Sequence, residues 1–201
     1  MGKPQLVLDI GGVLASNLTP GLWRLLALES AVTEQELYAA YKRELSERLW
    51  TGELSEEQFW SWMSGYLPGM TIATGRSYIV QSLRPLPALD MLQQWHEAAD
   101  IHILSNHLPA WVETVVEPNS RFWSSVTISS ETGFRKPHPA IFQRVSALLP
   151  RGSKPLFVDD QEKNIRQAAS LGWRTLLADE EGNWIREVLP LLQIIRDQDE
   201  Q

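Results

Sequence analysis

The stretch Gln5-Leu6-Val7-Leu8-Asp9-Ile10-Gly11-Gly12-Val13-Leu14 decides the fold. An apolar run of strand character ends on a carboxylate and passes at once into paired glycines. In open α/β sheets, ligands bind beyond the carboxyl ends of the strands, so this run places Asp9 where such sheets carry their chemistry. Three later segments repeat the geometry: Ile101-His102-Ile103-Leu104-Ser105-Asn106, Gly133-Phe134-Arg135-Lys136-Pro137 and Leu156-Phe157-Val158-Asp159-Asp160. Together they suggest a phosphoryl-transfer site.

Outward from these segments, short runs rich in Val, Ile and Leu predict strands at Leu6–Ile10, Ile101–Leu104, Val126–Ser129, Leu156–Val158 and Thr175–Ala178. Apolar residues at three-to-four spacing predict helices near Pro87–Ala99, Pro109–Val116, Pro139–Leu149, Gln161–Leu171 and Asn183–Ile195. The alternation implies an α/β fold, a Rossmann-like parallel sheet with helices on both faces. The polar tail Arg196–Gln201 is expected to fray.

The interval between the first two strands is far longer than an ordinary connection and almost wholly helical in pattern, which predicts an inserted α-helical subdomain. The expected division is a core of residues 1–15 and 84–201 with a cap insert at 16–83. Thr33-Glu34-Gln35-Glu36 and Ser55-Glu56-Glu57-Gln58 have the form of capping boxes that open helices. Trp23, Trp50, Trp60 and Trp62 fall in the insert. They are expected mainly to fill a thin helical core, with one or two available as a lid surface over a ligand.

Composition removes several classes of function. The chain has 201 residues, a net charge of −7 and no basic block, so it lacks the electrostatic footprint of a nucleic-acid binder. It has no cysteine, which excludes disulfides, thiolate nucleophiles and cysteine-held zinc. No apolar run approaches a membrane span, and the first residues lack the apolar core of a signal peptide. A cytoplasmic protein without a membrane partner is the expectation, and the sequence is silent on oligomeric state.

In this order the four segments resemble the haloacid dehalogenase-like (HAD) superfamily, over nearly the whole chain. Most members are magnesium-dependent phosphatases that pass through an aspartyl-phosphate. The resemblance implies that Asp9 is the nucleophile, Ser105 and Asn106 bind phosphate, Lys136 is catalytic and phosphate-binding, and Mg2+ is held by Asp9, the Gly11 carbonyl and one of Asp159 and Asp160. The insert follows the first motif, and the interval from Asn106 to Lys136 is too short for another, the arrangement of the subgroup with a helical cap after that motif.

Each residue type suits that chemistry on its own terms. A carboxylate can attack phosphorus and divide one hard displacement into two easier ones. Adjacent carboxylates repel unless a cation or hydrogen bonds offset them, and magnesium takes oxygen ligands. A lysine neutralises charge on both nucleophile and phosphoryl group. The same residues also have bland readings: Asp159 and Asp160 suit a helix cap, and Asp-Ile-Gly-Gly, Ser-Asn and Lys-Pro suit turns.

One position departs from the family. Most of its phosphatases carry a second Asp two residues after the nucleophile, as acid and base, where this chain has Gly11. Such a group typically contributes about 10²- to 10⁴-fold. Phosphatases of good leaving groups, similar to sugar-1-phosphate phosphatases, share Asp-x-Gly, which implies a small-molecule phosphate substrate of that kind. His107, Glu47 and Glu53 are the candidate substitutes. Two alternatives stand beside this reading: a 2-haloacid dehalogenase, which needs no metal and usually has a bulky aromatic where Gly11 sits, and a binding protein that has lost turnover.

Overall fold

The structure is a computed structural model and describes residues 2–199. Five parallel strands, β1 (Gln5–Leu8), β2 (Asp100–Ser105), β3 (Trp123–Ile128), β4 (Leu156–Asp159) and β5 (Arg174–Leu177), form one sheet in the order β3-β2-β1-β4-β5. The central strands β1 and β4 are buried throughout, as their unbroken apolar runs require. Successive side chains alternate between the two faces. Val7, Leu104 and Phe157 pack with Ile141, Phe142 and Trp173 on one side, whereas Leu6, Leu8, Ile103 and Val158 join the larger core on the other.

The expected strands are present, with ends shifted by at most three residues. β3 begins at Trp123 rather than Val126 because an edge strand needs only one buried face, and its first four residues alternate between half-buried and exposed. The predicted helices at Pro87 and Asn183 each open with a short 3-10 segment, Pro87–Met91 and Asn183–Glu187, before their α-helical parts. The last helix, Val188–Asp199, continues through Arg196, whose guanidinium bonds the Ala98 carbonyl at 3.3 Å. The expected fraying therefore does not begin at Arg196, and the end of that tail, 200–201, lies outside the described residues.

Between β1 and β2 lie five helices, α1 (Gly21–Ala27), α2 (Glu34–Glu44), α3 (Ser46–Trp50), α4 (Glu56–Met63) and α5 (Ile72–Ser82). Both expected capping boxes form, at Thr33 and Ser55. The chain leaves and re-enters the sheet side by side: Ser16 N–H donates to the Arg84 carbonyl at 2.8 Å, and Leu86 N–H to that of Leu14 at 2.9 Å. Trp23 and Trp60 are buried, with Trp23 4.5 Å from Tyr41 and Phe59 4.7 Å from Trp60 between ring centres.

A buried carboxylate ties this insert to the helix after β2, α6 (Pro109–Val116). Glu56 accepts from the indole N–H groups of Trp60 and of Trp111 in α6, at 3.1 and 3.0 Å, and pairs with Arg76 at 2.6 Å. Gly52, at φ +77°, touches the core on the other side, where a Cβ would lie 1.9 Å from the Ser130 carbonyl oxygen. No helix among the described residues is long and apolar enough to cross a membrane.

Candidate active site

Strand register assembles the site. Leu8 pairs with Ile103 on one side and Val158 on the other, so Asp9, just past β1, and Ser105 and Asp159, the last residues of β2 and β4, converge at one edge. Asp9 Oδ1 accepts from Ser105 Oγ at 2.6 Å and from the Ile10 N–H at 2.7 Å, while Asp9 Oδ2 meets Lys136 Nζ at 2.8 Å. Lys136 Nζ also meets Asp159 Oδ2 at 2.6 Å. The lysine is fully buried, and its Nζ sits 5.5 Å from the centre of the Phe157 ring. Burial disfavours its charge, yet Asp159 and Asp9 together outweigh that and hold its pKa above the ordinary lysine value.

Asn106 fixes this lysine from behind. Its Oδ1 accepts from Lys136 N–H at 2.8 Å and its Nδ2 donates to the Lys136 carbonyl at 3.0 Å. The Asn106 side chain is thus engaged with the lysine backbone, which leaves its own N–H as the group that could meet a phosphate. The preceding turn is made by Gly133, which caps Ser129–Thr132 at φ 78°.

The acidic pair divides into two environments. Asp159 is saturated: Oδ1 accepts from Gln161 N–H at 2.8 Å and Asn164 Nδ2 at 2.9 Å, and Oδ2 takes the lysine. Asp160 Oδ2 accepts from Asn17 Nδ2 at 2.8 Å, whereas its Oδ1 is buried with no partner among the described residues. Burial raises the pKa of both carboxyl groups. Gly12 permits the close approach of Asp160: its φ is +71°, and a Cβ there would lie 2.5 Å from Asp160 Cγ.

Oxygens of Asp9, Asp159 and Asp160 lie within 4.8 Å of one another. A buried carboxylate oxygen without a donor, beside two further carboxylates, fits a hard divalent cation, which prefers oxygen ligands. The residues present therefore suit the magnesium that the sequence implies.

Gly11 faces two polar groups. A Cβ built on it would lie 2.7 Å from Asn17 Oδ1 and 3.9 Å from His107 Nε2. His107 is buried, edge-on to Trp50 at 5.6 Å between ring centres, and its Nδ1 has no partner among the described residues. Burial first, then the charge of Lys136, push its imidazole down to about 3, so it is neutral at ordinary pH. Neither of the other substitutes lies in the carboxylate group around Asp9. Glu47 pairs with Arg135 at 3.2 Å, and both Glu47 and Glu53 line an outer cleft instead. Asn17 carries no motif, and nothing in its sequence neighbourhood marks it.

Above this edge, between the sheet and the insert, is an open cavity of about 380 Å³. Asp160, Asn106 and His107 contribute from below, and Tyr41, Trp50 and Phe59 from the insert. Of the four insert tryptophans, Trp23 and Trp50 line it, while Trp62 turns away to bond Glu44 at 2.9 Å.

An α/β protein with carboxylate, hydroxyl and buried lysine gathered at the strand ends has the build of a group-transfer hydrolase. The sequence matches the family described as haloacid dehalogenase-like hydrolase over residues 6–172. The chain belongs to the haloacid dehalogenase-like hydrolases. No curated protein matches its sequence. Among solved structures it is similar to a predicted HAD-like family hydrolase from Porphyromonas gingivalis, with TM-score 0.79, 21% identity, and 96% of this chain and 99% of that one covered. A HAD family enzyme from Bacteroides thetaiotaomicron, in complex with magnesium and inorganic phosphate, gives TM-score 0.77 at 20% identity, covering 91% and 98%. An L-2-haloacid dehalogenase gives TM-score 0.63 at 18%, covering 88% and 84%. At these identities the likeness shows the shared fold.

Proposed function

We propose that this protein is a magnesium-dependent phosphomonoester hydrolase that acts on a small metabolite through an aspartyl-phosphate on Asp9. The observation that carries the reading is the set of partners around Asp9, a buried carboxylate with a hydroxyl on one oxygen and an ammonium on the other. Asp9 attacks phosphorus, an Asp9 oxygen to phosphorus bond forms, and the bond to the leaving oxygen breaks. Water then attacks the same phosphorus, the bond to Asp9 breaks, and inorganic phosphate leaves with the carboxylate restored.

Lys136 offsets negative charge on Asp9 and on the transferring group, and Asp159 and Asn106 hold that lysine in place. Ser105 presents its hydroxyl to a phosphate oxygen. Asp9, Asp160 and the Gly11 carbonyl would hold magnesium. When bound, the metal supplies the positive charge that lets a carboxylate approach a phosphate dianion. The helical insert, residues 16–83, acts as a cap that keeps water from the cavity, over a core of residues 1–15 and 84–201.

Because no carboxylic acid stands at position 11, the leaving oxygen must take its proton from solvent. Substrates with acidic leaving groups, such as anomeric, acyl or aryl phosphates, are therefore favoured. The unpartnered Asp160 oxygen supports this reading over the dehalogenase alternative, whose chemistry needs no metal.

The test is hydrolysis of an aryl phosphate and a panel of sugar phosphates, with and without magnesium, by the protein and by Asp9→Asn. Magnesium-dependent turnover abolished in the variant is expected. Equal inertness of both on every phosphate would overturn the proposal.

A further inference from the structure

Building on the phosphatase reading, we infer that the substrate carries a second acidic group besides the phosphoryl group it loses, and that Lys42, Arg135 and Lys163 bind it. The chain carries net charge −7, yet among the described residues Asp160 is the only carboxylate lining the cavity, against these three cations. They come from three places: α2 in the insert, the loop that carries Lys136, and the first turn of the helix Glu162–Ser170. All three line the cavity and also the outer cleft, so they stand between the two.

Lys163 has both Arg135 and Lys42 near it. Burial first, then the charges of Arg135 and Lys42, hold the Lys163 ammonium below its ordinary pKa. Like charges gathered at a cavity mouth raise the free energy of the empty site, and an anion relieves it. The protein itself relieves only part of this, through Asp159 and Asp160, whose charges draw the Lys163 pKa back up from a distance. Among the described residues neither Lys42 nor Lys163 has a carboxylate within 4.0 Å, and Arg135 has only Glu47, whose side chain is 72% exposed and screened by water.

The transferring phosphoryl group does not need these cations, since Lys136 and Ser105 already stand on Asp9. A second anion on the same molecule does. A cavity of about 380 Å³ admits a small molecule, and Tyr41, Trp50 and Phe59 offer apolar wall to the part between its two charged ends. The second anion is a carboxylate or another phosphate, both of which an arginine fork and two ammonium groups accept.

The experiment compares matched pairs on the magnesium-loaded protein: phenyl phosphate with 4-carboxyphenyl phosphate, and a sugar monophosphate with its bisphosphate. A parallel binding arm uses phenylphosphonate and 4-carboxyphenylphosphonate, followed by tryptophan fluorescence, which needs no turnover. The doubly anionic member is expected to be favoured about tenfold, mostly through KM, as one charge-assisted contact provides. The pair showing the larger ratio tells carboxylate from phosphate. In Lys42→Met, Arg135→Met and Lys163→Met the ratio within each pair should fall toward one. Magnesium-dependent turnover with equal kcat/KM within every pair, or equal phosphonate affinities, overturns the second-anion site and leaves the phosphatase reading standing. A binding preference without any turnover overturns the phosphatase reading and upholds the site.

Discussion

Replacing Lys136 with Met should destabilise the metal-free protein severely, and divalent cation should repair much of the loss. Methionine matches the length of the lysine stem, so packing against Phe157 is largely kept and the change removes mainly the charge. That charge touches Asp9 at 2.8 Å and Asp159 at 2.6 Å in a site from which water is excluded. At an effective dielectric constant of about 20, each contact is worth about 6 kcal/mol of Coulomb attraction. Desolvation of the three charges consumes most of this, and removing one partner of a buried pair typically costs about 3–5 kcal/mol. For a chain of this size that corresponds to a fall in Tm of about 10 °C.

The assay is thermal and urea unfolding of both proteins in EDTA and in millimolar magnesium, at several pH values. In EDTA the gap should be widest near neutrality. It should narrow toward pH 5, because a proton on a carboxyl group, whose pKa burial already raises at Asp159, replaces the missing ammonium. Magnesium should narrow it further by occupying the same carboxylates. A variant within about 2 °C of the parent in EDTA would refute the reasoning, since that shift is worth less than about 1 kcal/mol.

Installing Asp at position 11 should not by itself restore acid catalysis on alkyl phosphates, because the new side chain meets Asn17 Oδ1 and drives Asn17 from Asp160. Gly11→Asp with Asn17→Ala should exceed the single variant by about 10²-fold in alkyl phosphate kcat; equal rates would show that Asn17 is no obstacle. Glu56→Ala leaves two indole N–H groups and Arg76 without their acceptor and should cost about 2–4 kcal/mol in urea unfolding; a loss under about 0.5 kcal/mol contradicts it. His107 titrates near 3 when folded and about 6.5 when unfolded, so the unfolded chain alone gains a proton as pH falls through that window. Stability should decline there by as much as about 1.4 kcal/mol per pH unit from this group. The slope of unfolding free energy from pH 7 to 5 should be shallower in His107→Asn, and an unchanged slope would show that His107 is not its source.

Much of the architecture is local in origin and therefore legible along the chain. Continuous apolar runs at Leu6 and Leu156 mark strands buried on both faces, and Thr33 and Ser55 announce helix starts through contacts three residues away. The polar residues at the ends of those runs locate the site as well. Asp9, Ser105 and Asp159 had to end neighbouring strands if their runs lie side by side in a parallel sheet. Edges were less legible: β3 pairs through only one neighbour, so tertiary contact set its start at Trp123.

What the alternation of strands and helices leaves open is the order β3-β2-β1-β4-β5, and everything that depends on it. That order brings Asn17 to Asp160 across 143 positions and sets Asn106 at the cavity floor with its side chain bonded to the backbone of Lys136. It leaves one oxygen of Asp160 without a partner while saturating Asp159, a distinction that two adjacent identical residues could not announce. It also gathers Lys42, Arg135 and Lys163 at one opening, although in sequence each is an ordinary surface cation. Propensity and periodicity act over a few residues, because backbone geometry repeats every two or 3.6. A side chain's partners are chosen by packing between segments far apart, and only the folded chain supplies those.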